Sequence, residues 1–292
     1  MNALSIWFLA ARPRTLALSI TPVLVGSALA FAATGSFNAP AGVAALIAAM
    51  LIQIGTNLHN DAADSLRGAD GPDRVGPLRV TAQGLLPAAT VTRAAMGCFA
   101  LAFVIGLYLL TVGGWQLFAF GVLSLGMGWA YTGGPYPIAY TPLGEIVVLI
   151  FFGLGAVGGT YWLHTGMLDS VALTGGVTIG LFASAVLLVN NHRDREADKA
   201  AGRRTMAMCL GIDGTKRLFM LLLTVPFALL PVLAALLPHH AVWLAWLAAP
   251  VALNVTRQFL TEPPGPGLNA VLAKTARLQA LFGLALGIGL IL

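Results

Sequence analysis

Residues 171–198, VALTGGVTIGLFASAVLLVNNHRDREAD, stay apolar for about five helical turns and then become amide-rich and acidic. Residues 41–64, AGVAALIAAMLIQIGTNLHNDAAD, do the same. Each apolar part is close to the ~20 residues that cross a bilayer. In the first stripe Gln53, Asn57, Asn60, Asp61 and Asp64 recur at helical spacing, and in the second Asn191, Asp194 and Asp198 do, so each set shares one helix face. Asn190 sits beside the second set and Glu196 points elsewhere. Carboxylates at a membrane boundary are costly, which marks them as functional. Gln53 and Asn57 carry the polar face inward, which predicts the wall of an internal polar cavity.

Composition agrees. Of 292 residues 58% are hydrophobic and 9% charged, where soluble domains carry roughly a quarter charged residues. The 34 glycines suit close approach of membrane helices. The expected fold is all-α: one transmembrane domain over 1–292, a polytopic membrane protein with nine helices around a central cavity. The windows are 15–34, 41–60, 91–112, 115–131, 143–163, 171–191, 217–237, 241–260 and 270–291. Arg12 and Arg14 precede a segment long enough to span, which reads as a membrane helix and not as a cleavable leader. With nine spans, all 16 Lys and Arg fall on the face shared with the N-terminus, and of 11 acidic residues only Asp169 falls opposite. Positive loops stay in the cytoplasm, so the N-terminus and both acidic stripes are expected there. The net charge of +5 therefore orients the chain, and no nucleic-acid partner is expected. Cys98 and Cys209 show no metal spacing. The long loops 61–90 and 192–216 each follow a stripe, which suggests two similar halves.

Two facing carboxylate clusters predict a shared divalent cation and a phosphate-bearing substrate. Magnesium takes hard oxygens, usually one or two carboxylates plus substrate phosphates. Zinc would want more His and Cys than His59 and His192 provide. The neighbouring loops supply cations: Arg67, Arg74 and Arg79 after the first stripe, and Arg193, Lys199, Arg203 and Arg204 around the second. Guanidinium forks suit phosphate oxygens. No GxxxxGK nucleotide loop is present.

The motif Asn60-Asp61-Ala62-Ala63-Asp64, of the form NDxxD, and Asp194-Arg195-Glu196-Ala197-Asp198, of the form DxxxD and followed by Gly202-Arg203-Arg204-Thr205, resemble the UbiA-type intramembrane prenyltransferases. Within that family the stretch Asn57–Leu85 is similar to the branch that prenylates 1,4-dihydroxy-2-naphthoate in menaquinone synthesis. So are Tyr131-Thr132-Gly133-Gly134, Tyr140–Glu145 and Phe151-Phe152-Gly153. Gly68 stands where some branches carry a third Asp, which matches the naphthoate branch and weakens a 4-hydroxybenzoate reading. No basic residue follows Tyr136-Pro137, where some relatives have one.

The resemblance implies that magnesium joins the diphosphate of a polyprenyl diphosphate to Asn60, Asp61, Asp64, Asp194 and Asp198. Asp64, Asp194 and Asp198 are then catalytic. Asn57, Asn60, Arg74, Arg79, Tyr131, Tyr140, Arg193, Lys199 and Arg203 bind substrate. The aromatic rings of Tyr131, Tyr136, Tyr140 and Phe152 are candidates to stabilise an allylic cation, and a dry pocket keeps water from quenching it. The product is demethylmenaquinone, with loss of carbon dioxide and pyrophosphate. The resemblance also implies a bacterial plasma membrane, lipid contact all round, and an active site facing the cytoplasm. Two alternatives stay open: a sibling enzyme with another aromatic acceptor, and a transporter or proton relay, which also uses intramembrane carboxylates.

Overall fold

The computed structural model describes residues 2–68, 75–76, 78–238 and 240–292 and, of Arg14, the backbone alone. Among them there are helices and no strands. In chain order they are α1 Ala3–Ala11, α2 Pro13–Thr34, α3 Ala39–Leu66, α4 Ala88–Ala130, α5 Gly144–Val148, α6 Ala156–Thr165, α7 Ser170–Arg193, α8 Arg195–Ala200, α9 Met206–Ala228, α10 Leu230–Leu236, α11 Ala249–Thr261 and α12 Leu268–Ile291. A π-helical segment, Leu149–Gly155, joins α5 to α6, and a 3-10 segment, Val242–Ala248, leads into α11.

Seven segments of the described residues are long and apolar enough to cross a membrane, two fewer than the windows of the sequence. Windows 91–112 and 115–131 run together as α4, whose 43 residues would reach about 65 Å if straight. Gly114 breaks it with φ 77° and ψ 179°, a conformation that favours glycine. Window 241–260 begins as 3-10 helix, and its segment lies outside the seven.

α7 is the axis: 72% of its apolar window is buried, against 17% for α4. Phe182 of α7 packs on Phe282 of α12 at 4.8 Å between ring centroids, and Phe227 of α9 meets Phe282 edge-on at 5.2 Å. On its other side α7 meets the π-helical segment backbone to backbone. A Cβ on Gly153 would overlap the Gly176 carbonyl, and one on Gly180 would lie 2.8 Å from the Leu149 oxygen. Glycine is what lets these two elements touch.

Asp169, the acidic residue set apart by the charge count, caps α7. Its Oδ1 accepts the N–H groups of Val171 and Ala172, and its Oδ2 accepts the Tyr161 hydroxyl at 2.7 Å. At the other end of α7 the loops interlock: Asn269 donates to the Val75 carbonyl and accepts from Arg193, and the Arg204 N–H donates to the Tyr140 carbonyl. Both acidic stripes end here.

Candidate active site

Asp64 is 1% exposed at the end of α3 and accepts two guanidinium groups: Arg79 on Oδ2 at 2.9 Å and Arg203 on Oδ1 at 3.0 Å. Arg203 also reaches Asp198 at 3.3 Å. One arginine thus joins the two motifs, and the buried carboxylates carry their own counterions. Tyr140 lies over the Arg203 guanidinium at 4.6 Å from ring centroid and near Arg67 at 5.8 Å. Arg67 in turn donates to the carbonyls of Thr132 and Gly134. Tyr140 therefore holds arginines and is not among the residues lining the apolar cavity.

Asp194 lies where α7 gives way to α8, with φ −89° and ψ 8°. The second stripe is thus broken at its first carboxylate instead of running on one helix face. Arg193 grips Asp194 with two bonds, Nε to Oδ1 at 2.7 Å and Nη2 to Oδ2 at 2.6 Å, and also donates to Asn190 and Asn269. Burial pushes the Asp198 carboxyl up to about 6 against the pull of Arg203. Burial lowers the pKa of Arg203, but Asp64 and Asp198 outweigh that and raise it overall. The Tyr131 phenol is raised by burial and by Glu145.

Asp61 departs from its expected place. Its oxygens accept the backbone N–H groups of Val80 at 3.0 Å and Thr81 at 2.9 Å, it is 1% exposed, and it does not line the cavity. Two amides on one carboxylate pin the turn that begins at Arg79. Asn57 likewise donates to the Ala11 carbonyl and the Thr15 hydroxyl and accepts from Gln53, so it clamps α1 to α2 at the cavity edge. Lys199 and Glu196 are exposed. Arg74 lies outside the described residues.

A cavity of about 420 Å³ opens from this cluster. Asn60, Asp64, Arg79, Asp194 and Arg203 line its polar end, with Tyr131 beside them. Further in, the wall is apolar: Phe103, Leu117, Phe118, Phe120, Phe151 and Phe152. Phe120 and Phe151 stack at 5.5 Å between centroids, and Phe120 fills space that a side chain at Gly155 would take. The π-helical turn brings the consecutive rings of Phe151 and Phe152 to one cavity.

The donor set suits a hard cation. Asn60 Oδ1 is buried and has no hydrogen-bond partner among the described residues, beside Asp64. Among the described residues no three His, Cys, Asp or Glu converge closely enough to hold a metal by themselves. That pattern fits an ion completed by phosphate oxygens.

Two residues outside the expected ligands and substrate contacts belong to the site, Glu145 having figured only as the end of the Tyr140–Glu145 stretch. Asn269 bridges loops and carries no pattern. Glu145 is 4% exposed at the start of α5, and a lone carboxylate opening an apolar segment was the signal.

Fold and site together define a multi-pass membrane protein in which a charged, metal-suited cluster closes one end of an aromatic-lined cavity. The chain belongs to the UbiA prenyltransferase family, whose model matches residues 19–273. It is 34% identical over 300 residues to the 1,4-dihydroxy-2-naphthoate octaprenyltransferase of Haemophilus influenzae, covering 99% of this chain and 96% of that one. It is 36% identical over 285 residues to the protein of the same name from Mycobacterium tuberculosis, covering 98% and 96%. The fold matches a UbiA homolog from Archaeoglobus fulgidus bound to GPP and Mg2+ with a TM-score of 0.69 at 15% identity, covering 98% and 99%. It matches the apo UbiA homolog from Aeropyrum pernix K1 with a TM-score of 0.71 at 16% identity, covering 96% and 98%.

Proposed function

We propose that this protein transfers a polyprenyl group from polyprenyl diphosphate to 1,4-dihydroxy-2-naphthoate, releasing pyrophosphate and carbon dioxide and giving the hydroquinone form of demethylmenaquinone. The observation that carries this reading is the Asp64–Arg203–Asp198 linkage at the mouth of an aromatic-lined cavity. Full-length similarity to enzymes named for that reaction supports the choice of acceptor. So does Gly68 in place of a third Asp.

Asn60, Asp64, Asp194 and Asp198 would hold magnesium, which when bound offsets the charge of the leaving diphosphate. UbiA homologs have been solved with Mg2+ and with Cd2+, which supports a divalent ion. Arg79 and Arg203 bind diphosphate oxygens, and Asp61 fixes the turn from which Arg79 reaches in. Phe120, Phe151, Phe152 and Tyr131 wall the cavity where positive charge develops and keep it dry. The apolar windows of the sequence suggest nine crossings, the loop charges favour the charged end in the cytoplasm, and the resemblance favours a bacterial plasma membrane.

The test is purified protein in detergent with octaprenyl diphosphate, magnesium and a panel of acceptors. Release of pyrophosphate with prenylated naphthoquinol is expected, with 4-hydroxybenzoate a poor substrate. No pyrophosphate release with any acceptor would overturn the enzyme reading in favour of a transporter.

A further inference from the structure

The prenyl-transfer reading places the acceptor between the charged cluster and the aromatic wall, a space that Gln53, Thr56, Tyr131 and Thr132 also line. Asn57 is spent on Ala11, Thr15 and Gln53. The carbonyl oxygen of Asn190 is spent on Arg193. Asn191 lies one turn inward from Asp194, on the same side of α7, and lines the cavity. Its amide Nδ2 donates to Glu145 Oε1 at 2.9 Å. An ionised carboxylate only accepts, so with Glu145 ionised this bond sets which way the Asn191 amide is turned. The carbonyl oxygen of Asn191 is left for the cavity.

Glu145 is itself fixed. Its backbone carbonyl accepts the Ser184 hydroxyl at 2.7 Å, which ties the start of α5 to α7 a second time. The second carboxylate oxygen, Oε2, is buried without a hydrogen-bond partner among the described residues. A buried unpartnered oxygen costs free energy. A glutamine would make the same tether without placing a charge there, but it could turn either its oxygen or its nitrogen to Asn191. The carboxylate removes that ambiguity.

We propose that Asn191 recognises a hydroxyl of the aromatic acceptor through its carbonyl oxygen, and that Glu145 is the positioning residue that holds it in that orientation. The inference rests on the prenyl-transfer reading. It adds a recognition site for the acceptor, separate from the residues that hold the diphosphate.

Michaelis constants for 1,4-dihydroxy-2-naphthoate and for octaprenyl diphosphate, measured separately, test it in wild type, Glu145→Gln, Glu145→Leu and Asn191→Ala. Glu145→Leu and Asn191→Ala are expected to raise the acceptor KM about tenfold or more, as when a site built for a hydroxyl loses its partner. The prenyl diphosphate KM stays within about twofold, because the cluster is intact. Glu145→Gln can turn either its oxygen or its nitrogen to Asn191 and is expected to raise the acceptor KM about threefold, between wild type and Glu145→Leu, while the prenyl diphosphate KM stays put. Wild type should prefer the dihydroxy acceptor over one of its two monohydroxy analogues, and Asn191→Ala should lose that preference. A Glu145→Gln enzyme with kcat lost and KM unchanged would overturn the proposal, since the carboxylate would then act in the chemistry. Equal rises in both KM values for Glu145→Leu would also overturn it. A wild type that transfers no prenyl group to the naphthoate defeats the functional reading instead, before any variant is compared.

Discussion

Arg203 Nη2 lies 3.0 Å from Asp64 Oδ1, joining residues 139 apart in sequence, and its Nη1 reaches Asp198. A single side chain thus sets the spacing between the two acidic motifs. Arg203→Ala leaves two buried carboxylates facing each other and should lower turnover by about 100-fold or more. Arg203→Lys should fall between, because an ammonium is a point charge and cannot span both carboxylates as a fork does. Turnover of detergent-solubilised protein measures both, and a lysine variant equal to wild type would remove the bridging role.

Asp61 and Asp64 are neighbours in one motif but differ in what they touch. Asp61→Asn places an amide nitrogen against the N–H of Val80 or Thr81 and loosens the turn that carries Arg79. The KM for prenyl diphosphate should rise about tenfold while the magnesium concentration for half activity stays put. Asp64→Asn should shift the magnesium requirement itself. If Asp61→Asn moves it equally, Asp61 is a ligand after all.

Removal of divalent ions tests the hard-oxygen site around Asn60. Excess EDTA should stop prenyl transfer, and added magnesium should restore it. Full activity in the chelator would refute a metal at this site.

Asp198 gives a pH signature. Burial raises its carboxyl to about 6 in the fold, above its ordinary value of 3.8, so the folded state favours the proton. The unfolded chain ionises first, so this group's contribution to stability is full below 3.8 and is lost as pH rises toward 6. A cation needs the ionised form. Below pH 6 the magnesium needed for half activity should climb, approaching about tenfold per pH unit, and above it should level off. A flat requirement from pH 5 to pH 7 would contradict the site (roughly one unit either side of the titration).

The glycine contact of α7 predicts a stability difference. Gly153→Ala drives a methyl into the Gly176 carbonyl and should cost about 1–3 kcal/mol, read as a lower unfolding midpoint in detergent. Gly97→Ala meets nothing within 4 Å and should leave the midpoint unchanged or slightly raised.

The membrane class and both acidic stripes could be read from the chain because they are local: apolar length, helical spacing and loop charge are properties of contiguous residues. The number of spans could not, since windows 91–112 and 115–131 run together as α4. The division of labour inside the site could not. Asp61 and Asp64 carry the same group three residues apart, and only the path of loop 78–87 decides which meets amides and which meets guanidiniums. Tyr140 reads as an aromatic for a cation and does meet cations, but they are Arg203 and Arg67 of the protein. Asn269 and Glu145 owe their roles to partners 76 and 46 residues away, respectively. The π-helical turn at Leu149–Gly155 was hidden because its residues are equally good α-helix formers in an apolar segment.

Where Gly153, Gly176 and Gly180 meet, two walls of the cavity touch main chain to main chain. Side chains at an interface absorb small shifts by changing rotamer; peptide groups have none to change. The rings of Phe151 and Phe152 are therefore held relative to the Asn191–Asp194 end of α7 by close main-chain packing. A ligand that spans both ends of the cavity meets a ruler of fixed length, and must supply whatever adjustment is needed from its own torsions.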